Sequence, residues 1–316
     1  MRWAWPVALA ATAALLLLVP ACGDESGDAD TDTDADADTD TDTDADTDTD
    51  TDTDTGDRCH TNAQGYEECQ PADGRGGVYI VVPPASFWIG CRDDLNGDWP
   101  CLANQQPQHE VQLTAAYGIE KHEVMQADYD DFVTATGHAQ PTTCEWGDPD
   151  WDPTARSQHP VVCVSWSDAR DYCQWLGADL PTEAQWEYAA RGPMADADEY
   201  AAFPWGSNET DCEHANLVGC DGQAAALGSR PSGASPFGVQ DLSGNVAEWC
   251  RDWYASDYYA SSSAQDPQGP EVGEYRVMRG GSWGYTGEPA RTSARDYNEP
   301  TLTYSLAGFR CARTVP

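Results

Sequence analysis

From about Gly74 onward, short apolar runs alternate with irregular polar stretches, and the runs have two periods. Val78-Tyr-Ile-Val-Val82 and Phe87-Trp-Ile89 predict strands on either side of Pro83-Pro84, and Glu110-Val-Gln-Leu113 and Tyr117-Gly-Ile119 predict another pair. The period changes near Gln126, where Tyr129, Phe132, Val133 and Thr136 share one helical face and Gly137 stands where a C-terminal cap belongs. Val161-Val-Cys-Val-Ser165 predicts a strand leading to a second helix from about Asp168 to Leu176, striped by Ala169, Tyr172, Cys173 and Leu176. A third helix opens at the capping box Thr182-Glu-Ala-Gln185 and runs through Ala190. Late in the chain, Tyr275-Arg-Val-Met-Arg279 and Ala307-Gly-Phe-Arg-Cys-Ala-Arg313 predict strands flanking a long polar loop. Core packing is the reading of all these stripes.

One stretch has neither period. Asp241-Leu-Ser-Gly-Asn-Val-Ala-Glu-Trp249, followed by Arg251-Asp-Trp-Tyr254, crowds acids, an amide, a glycine and tryptophans into a few residues. Its backbone must be held by specific partners. Two readings stand side by side: a turn whose polar side chains bond their own backbone, or an oxygen-rich loop that takes Ca²⁺ through side chains and carbonyls.

Charge narrows the choice of partners. The 316 residues carry 16 Lys+Arg against 55 Asp+Glu, a net charge of −39. Phosphate binding needs clustered cations, so nucleic acid is excluded as a partner. Residues 24–57 hold 17 of the acids and no base; setting these and Arg2 aside leaves 38 acids against 15 bases from Arg58 onward, a net −23. Such a surface is soluble and suited to divalent cations. With 13 Trp and 14 Tyr but 5 Phe, most aromatics carry a polar handle, as in a hydrogen-bonded core or an aromatic-lined binding face.

The chain opens with a basic start and an apolar run, Val7 to Val19, ending Pro20-Ala21-Cys22. The run is too short for a comfortable membrane span and reads as an export signal over residues 1–21. Leu18-Val-Pro-Ala-Cys22 resembles the lipobox of bacterial lipoproteins, which implies a lipid on Cys22 and a protein anchored to a membrane through that lipid. The other reading is an ordinary signal peptide followed by a free thiol. Residues 22–57 then form a spacer of Asp, Thr and Ala, too polar and too charged to offset ordering entropy. Its 35 residues after Cys22 reach at most roughly 115 Å. It lacks the glycine turn and closing Glu of an EF-hand. The expected location is the bacterial cell envelope, at the outer membrane or cell surface.

Eleven cysteines follow Cys22, and in an exported chain that density means disulfides, with an odd thiol left over. The neighbours 59/69, 91/101, 144/163 and 212/220 close short loops, each of about ten residues contributing roughly 2.5–3 kcal/mol in the chain-entropy model. No Cys-x2-Cys spacing supports zinc. Residues 58–75 read as a Cys-containing connector, and 76–316 as the folded domain.

Several segments in order carry a family resemblance. They are Val161 to Trp175 with Leu180-Pro-Thr-Glu-Ala-Gln-Trp-Glu-Tyr-Ala-Ala-Arg191, then Leu242-Ser-Gly-Asn-Val-Ala-Glu-Trp249, and Arg276-Val-Met-Arg-Gly-Gly-Ser-Trp283 with Gly308-Phe-Arg-Cys311. Phe87-Trp-Ile-Gly90 and Glu123-Val followed by Tyr129-x-x-Phe132-Val fit as the opening motifs. Together they resemble the formylglycine-generating enzyme, or sulfatase-modifying factor, family over about residues 76–314. The resemblance implies an α+β fold related to C-type lectins, poor in regular structure and braced by disulfides and calcium. It implies one calcium held by the Asp241 and Glu248 side chains with the Gly244 and Val246 carbonyls. A second would use Asn216 and the Leu217 carbonyl with Asp221 and Gln223, on a loop that is shortened here. It also implies a bridge from Cys173 to Cys311, which leaves Cys250 as the odd thiol; Ala190 stands where the family's second bridge has Cys.

The family's oxidases carry two cysteines in the loop after Gly280-Gly-Ser-Trp283, close enough to grip Cu(I), which activates O₂ to oxidise a substrate Cys to formylglycine. This chain reads Gly284-Tyr-Thr-Gly-Glu-Pro-Ala-Arg-Thr-Ser-Ala-Arg295 there, about three residues shorter and without a cysteine. Copper is therefore not expected, and no catalytic residue is assigned. Three functions remain: a non-oxidase module binding a peptide or glycan through Trp283, Tyr285, Arg291 and Arg295; a formylglycine-generating or related oxidase; and a structural envelope component.

Overall fold

The structure, a computed structural model, describes residues 56–94, 99–145, 147, 150–194, 196, 198–199, 201–206 and 209–315. The export signal, Cys22 and nearly all of the acidic spacer lie outside these described residues. No helix among the described residues is long and apolar enough to cross a membrane.

A hairpin, β1 (Arg58–Thr61) and β2 (Glu67–Gln70), begins the described chain, with Cys59 opposite Cys69 and bonded to it. These residues were expected to form a connector. Instead β2 pairs with β3 (Tyr79–Val82), so the hairpin extends the main sheet. The spacer's last residue is tied in as well, since Asp57 accepts a hydrogen bond from the Tyr79 hydroxyl at 2.5 Å. β4 (Ala85–Ile89) and β5 (His109–Leu113) form a separate two-stranded ribbon, and β6 (Tyr117–Glu120) returns to pair with β3.

Three helices follow. α1 (Gln126–Thr136) ends at Gly137, whose φ of 75° lets its N–H reach the Val133 carbonyl. α2 (Trp166–Trp175) and α3 (Glu183–Arg191) each begin with a capping box, Ser165 with Asp168 and Thr182 with Gln185. The strand expected at Val161–Ser165 is absent. Cys163 has a φ of 61°, which breaks the extended run, and only isolated contacts remain, such as the Val161 N–H to the Val124 carbonyl at 2.9 Å. The valines are buried all the same, so the apolar run reported burial and not strand pairing.

The second sheet carries the loop of interest. β7 (Ala247–Trp253), β8 (Arg276–Arg279) and β9 (Asp296–Asn298) run antiparallel, and β10 (Ala307–Gly308) joins β7 in parallel. β11 (Ala312–Thr314) crosses to the first sheet beside β6. The single late strand expected over Ala307–Arg313 is thus two short ones in different sheets, and Phe309, Arg310 and Cys311 are buried between them. α3 packs against β4, β7 and β8 with Trp186 fully buried, and Tyr129, Tyr172, Trp249 and Phe309 form part of a second core. The result is an α+β architecture held by many short elements.

Candidate functional site

The Asp241–Trp249 stretch is a tight loop entering β7, and its geometry explains the missing periodicity. Asp241, Gly244 and Asn245 all take positive φ, at 59°, 79° and 60°. A Cβ on Gly244 would sit 2.4 Å from the Asn216 carbonyl oxygen, so the close approach of two loops needs glycine there. Asn245 ties the loops together: its amide donates to Glu123, its side-chain oxygen accepts from Ala225 N–H and the Asn216 amide, and its N–H reaches the Asn216 carbonyl.

Glu248 is fully buried. Its carboxylate accepts both the Nε and Nη2 of Arg310, at 2.7 and 2.8 Å, and the Trp186 indole at 2.8 Å. Asp241 accepts from the Gly228 N–H, and burial pushes its carboxyl above the ordinary range against that bond. Glu123, from the segment before α1, closes the group with bonds from Asn245 and the Val246 N–H. Burial, then the charges of Asp241 and Glu248, push the Glu123 carboxyl well up.

These three acids face one bonded guanidinium, Arg310, among the described residues. Two surplus negative charges in a buried site call for protons or a divalent cation. Carboxylates and backbone carbonyls are hard oxygen donors of the kind Ca²⁺ takes. Among the described residues no three His, Cys, Asp or Glu side chains converge as a ready-made cage, so a cation would draw on oxygens that here accept N–H groups. Glu123 and Arg310 were not foreseen as site residues, although both sit inside motifs that the sequence displays.

The second calcium set does not fit a cation in this arrangement. Asn216 points its amide nitrogen, a donor, at the Gln223 carbonyl, 2.9 Å away. The Leu217 carbonyl accepts from Cys220 N–H, and the Asp221 carboxylate pairs with Arg230 at 2.9 Å. The loop is closed by protein donors, with Cys212 bonded to Cys220 at its base.

The four expected ligand residues divide. Trp283 is half-buried and lines a cavity of about 220 Å³ with Gln126, Asp150, Arg156 and Ser305. Tyr285 is half-buried and outside that lining, and burial pushes its hydroxyl up to about 12. Arg291 and Arg295 point inward, a correction to the expectation that all four line a groove. Arg295 grips both oxygens of Glu183, at 2.7 and 2.9 Å, and Arg291 reaches the Pro100 carbonyl and Gln105. Glu183 is buried, and a planar guanidinium matches its two oxygens. Burial pushes the Glu183 carboxyl up, but Arg295 and Arg279 outweigh it and hold it below the usual range. Arg279 in turn bonds Glu183, Glu187 and the Thr292 carbonyl, so these charges form one internal network.

The cysteines are paired as Cys59–Cys69, Cys91–Cys101, Cys144–Cys163, Cys173–Cys311 and Cys212–Cys220. Cys250 is the one described cysteine outside a disulfide, and burial pushes its thiol well up, away from the nucleophilic thiolate.

Comparison with known proteins agrees with the motifs. Residues 66–315 match the family model of the sulfatase-modifying factor enzyme 1-like domain. The chain belongs to this family. A formylglycine-generating enzyme from Streptomyces coelicolor is 34% identical over 298 residues, covering 77% of this chain and 90% of that protein. The serine/threonine-protein kinase pkn1 of Chlamydia pneumoniae is 41% identical over 161 residues, half of this chain; the chain spans about a quarter of that kinase's length. Among solved structures, PvdO from Pseudomonas aeruginosa superposes with a TM-score of 0.63 at 28% identity, covering 76% of this chain and 95% of that one. The sulfatase-modifying factor fold is therefore this chain's fold, and its match begins at residue 66, inside the hairpin.

Proposed function

We propose that this chain is a lipid-anchored, non-oxidase member of the sulfatase-modifying factor family that binds a peptide or glycan beside Trp283. The observation that carries this reading is the segment Trp283 to Arg295. It offers no thiol, and its two arginines are turned inward to Glu183 and the Pro100–Gln105 segment. A Cu(I) site in this family needs two soft ligands in that segment; Tyr, Thr, Glu and Arg are not soft. A cavity lies beside Trp283, and a half-buried tryptophan among polar groups suits a recognition surface.

Calcium belongs to this reading as a brace at Glu123, Asp241 and Glu248, where it would neutralise the surplus charge and lock the β7 loop to the segment before α1. The lipid on Cys22 would hold the domain at the outer membrane or cell surface, with the acidic spacer setting its distance. The second reading is a formylglycine-generating or related oxidase, favoured by the 34% identity to the Streptomyces enzyme across nearly all of that protein. A purely structural envelope component comes third. Arrays of glycans and peptides probed with the full chain separate the first reading from the third. Mass spectrometry of a sulfatase-type Cys peptide after incubation with copper and the domain separates the first from the second.

A further inference from the structure

Two cavities adjoin on the face that carries Trp283. The smaller, about 220 Å³, is lined by Trp283, Gln126, Asp150, Arg156 and Ser305. The larger, about 520 Å³, is lined by His159, Glu213, Asp221, Arg230 and Ser229. Gln223 and Ala224 line both, so the two form one groove. Resting on the reading of this face as a binding site, we infer that the groove holds a neutral oligosaccharide of at least two units, one of them stacked on Trp283.

Charge balance is the first argument. Each cavity contains an acid and an arginine already paired, Asp150 with Arg156 at 3.3 Å and Asp221 with Arg230 at 2.9 Å. Burial, then the charge of Arg156, lower the His159 pKa, which disfavours the charged imidazole. An anion would have to break these pairs or face the Glu213 carboxylate, whereas a neutral polyol can bond to the outer edges of the pairs and to Glu213 as well. Carboxylate, guanidinium and amide groups are planar and forked, and present two polar atoms at a spacing that suits vicinal hydroxyls.

The second argument concerns groups left without partners. The Arg156 Nε and the His159 Nδ1 are buried and bond nothing, although both residues line the groove. A buried polar atom without a partner is destabilising, and both atoms are shielded from the groove itself, so a ligand hydroxyl reaches them only with a small shift of the Arg156 or His159 side chain. The guanidinium nitrogen is a donor only, while a neutral imidazole nitrogen is a donor or an acceptor according to tautomer. A hydroxyl serves all of these cases because it both donates and accepts.

A peptide suits the groove less well. Extended peptides gain affinity by adding to a sheet edge, and none of the residues lining either cavity lies in one of the eleven strands. The walls are instead the start of α1 and loops pinned by Cys144–Cys163 and Cys212–Cys220, which favours a preformed site over one that must be ordered by its ligand.

The test uses the full chain in detergent on an array of neutral and sulfated oligosaccharides beside a peptide library, with titration calorimetry of the best hit. The expected result is retention of neutral oligosaccharides and weaker binding of the corresponding monosaccharide. Trp283→Leu and Arg156→Gln should each weaken binding at least tenfold with unchanged Tm, and Trp283→Phe, which keeps an aromatic face, should retain most of it. If Trp283→Leu does not fold, Arg156→Gln and Trp283→Phe still decide the matter. Retention of sulfated glycans alone, or Trp283-dependent capture of peptides alone, overturns the inference and leaves the broader binding reading standing. No retention of either class overturns both.

Discussion

Arg279 is wholly buried, yet it bonds two buried glutamates, Glu183 at 2.8 Å and Glu187 at 2.5 Å, and the Thr292 carbonyl. Removing one partner of such a network leaves charges without compensation in a medium that solvates them poorly. Arg279→Met should therefore destabilise the domain by about 3–5 kcal/mol, read as a shift in the denaturant midpoint. A loss under about 1 kcal/mol would mean that Arg295 at Glu183 and Arg191 at Glu187 satisfy the glutamates without it. Asp252 supplies a pH signature at the same scale. Burial, then the charge of Glu183, push its carboxyl up to about 7 from an ordinary 3.8. The folded state holds that proton more tightly than the unfolded one, so this contribution to stability is full below about pH 4 and is lost as pH rises through about 7. Asp252→Asn keeps an acceptor for the Glu183 N–H and removes the titration. It should raise Tm at pH 8 and change it little at pH 4; an equal shift at both would exclude titration as the cause.

At the level of elements, the bridge from Cys173 in α2 to Cys311 just before β11 closes the longest loop of the five described bridges, with a sequence separation of 138. By loop-closure entropy it contributes roughly 4–5 kcal/mol, so the Cys173→Ala, Cys311→Ala double variant should lose about that much in equilibrium unfolding. Non-reducing peptide mapping should find Cys250 as the free thiol; alkylation of Cys173 in the native protein would sink the pairing. The elements themselves were unequally legible. Strands around Pro83-Pro84 and the helix at Thr182 follow from local rules, alternation in one and a capping box in the other, and both are present. Val161–Ser165 misled because its burial comes from tertiary packing, while one residue, Cys163, holds a positive φ that no apolar pattern announces. Arg291 and Arg295 misled for the opposite reason: arginines in a polar loop read as surface, and only the buried Glu183 and the Pro100–Gln105 segment, distant in sequence, turn them inward. Glu123 was invisible as a site residue because its partners Asn245 and Val246 lie more than a hundred positions away.

The whole molecule combines a strongly acidic chain with a fold whose buried arginines Arg191, Arg279, Arg295 and Arg310 are paired with buried glutamates, and two predictions belong to that scale. Calcium at Glu123, Asp241 and Glu248 would link segments far apart in sequence. A cation that binds only the folded state adds about 2.7 kcal/mol at a hundredfold excess over Kd. The carboxyls of Glu123 and Asp241 are raised without it, so the empty site loses stability as pH rises above the ordinary carboxylate range. A chelator should therefore lower the Tm of residues 56–316 more at pH 8 than at pH 5, and Glu123→Gln should shrink that difference. A Tm indifferent to chelator at both pH values counts against the site.

The remaining prediction is that the purified domain, loaded with copper, does not convert a sulfatase-type Cys peptide to formylglycine. Oxidation of a thiol by O₂ needs a metal that passes electrons to oxygen, and Cu(I) needs thiolates to hold it beside the substrate. Ten of the described cysteines are consumed in disulfides, and the eleventh, Cys250, is buried with its thiol pKa raised. A buried thiol of high pKa is neither a good metal ligand nor a nucleophile. The segment Trp283 to Arg295 supplies a tryptophan at the cavity mouth and arginines to the interior, an arrangement suited to holding a ligand in place. Intact mass of the peptide after incubation is the readout, with a buffer control and a second sample in which Gly284 and Glu288 are replaced by cysteine. The wild-type peptide mass should match the control. Copper-dependent loss of mass at the Cys by the wild-type domain would return the chain to the oxidases of its family.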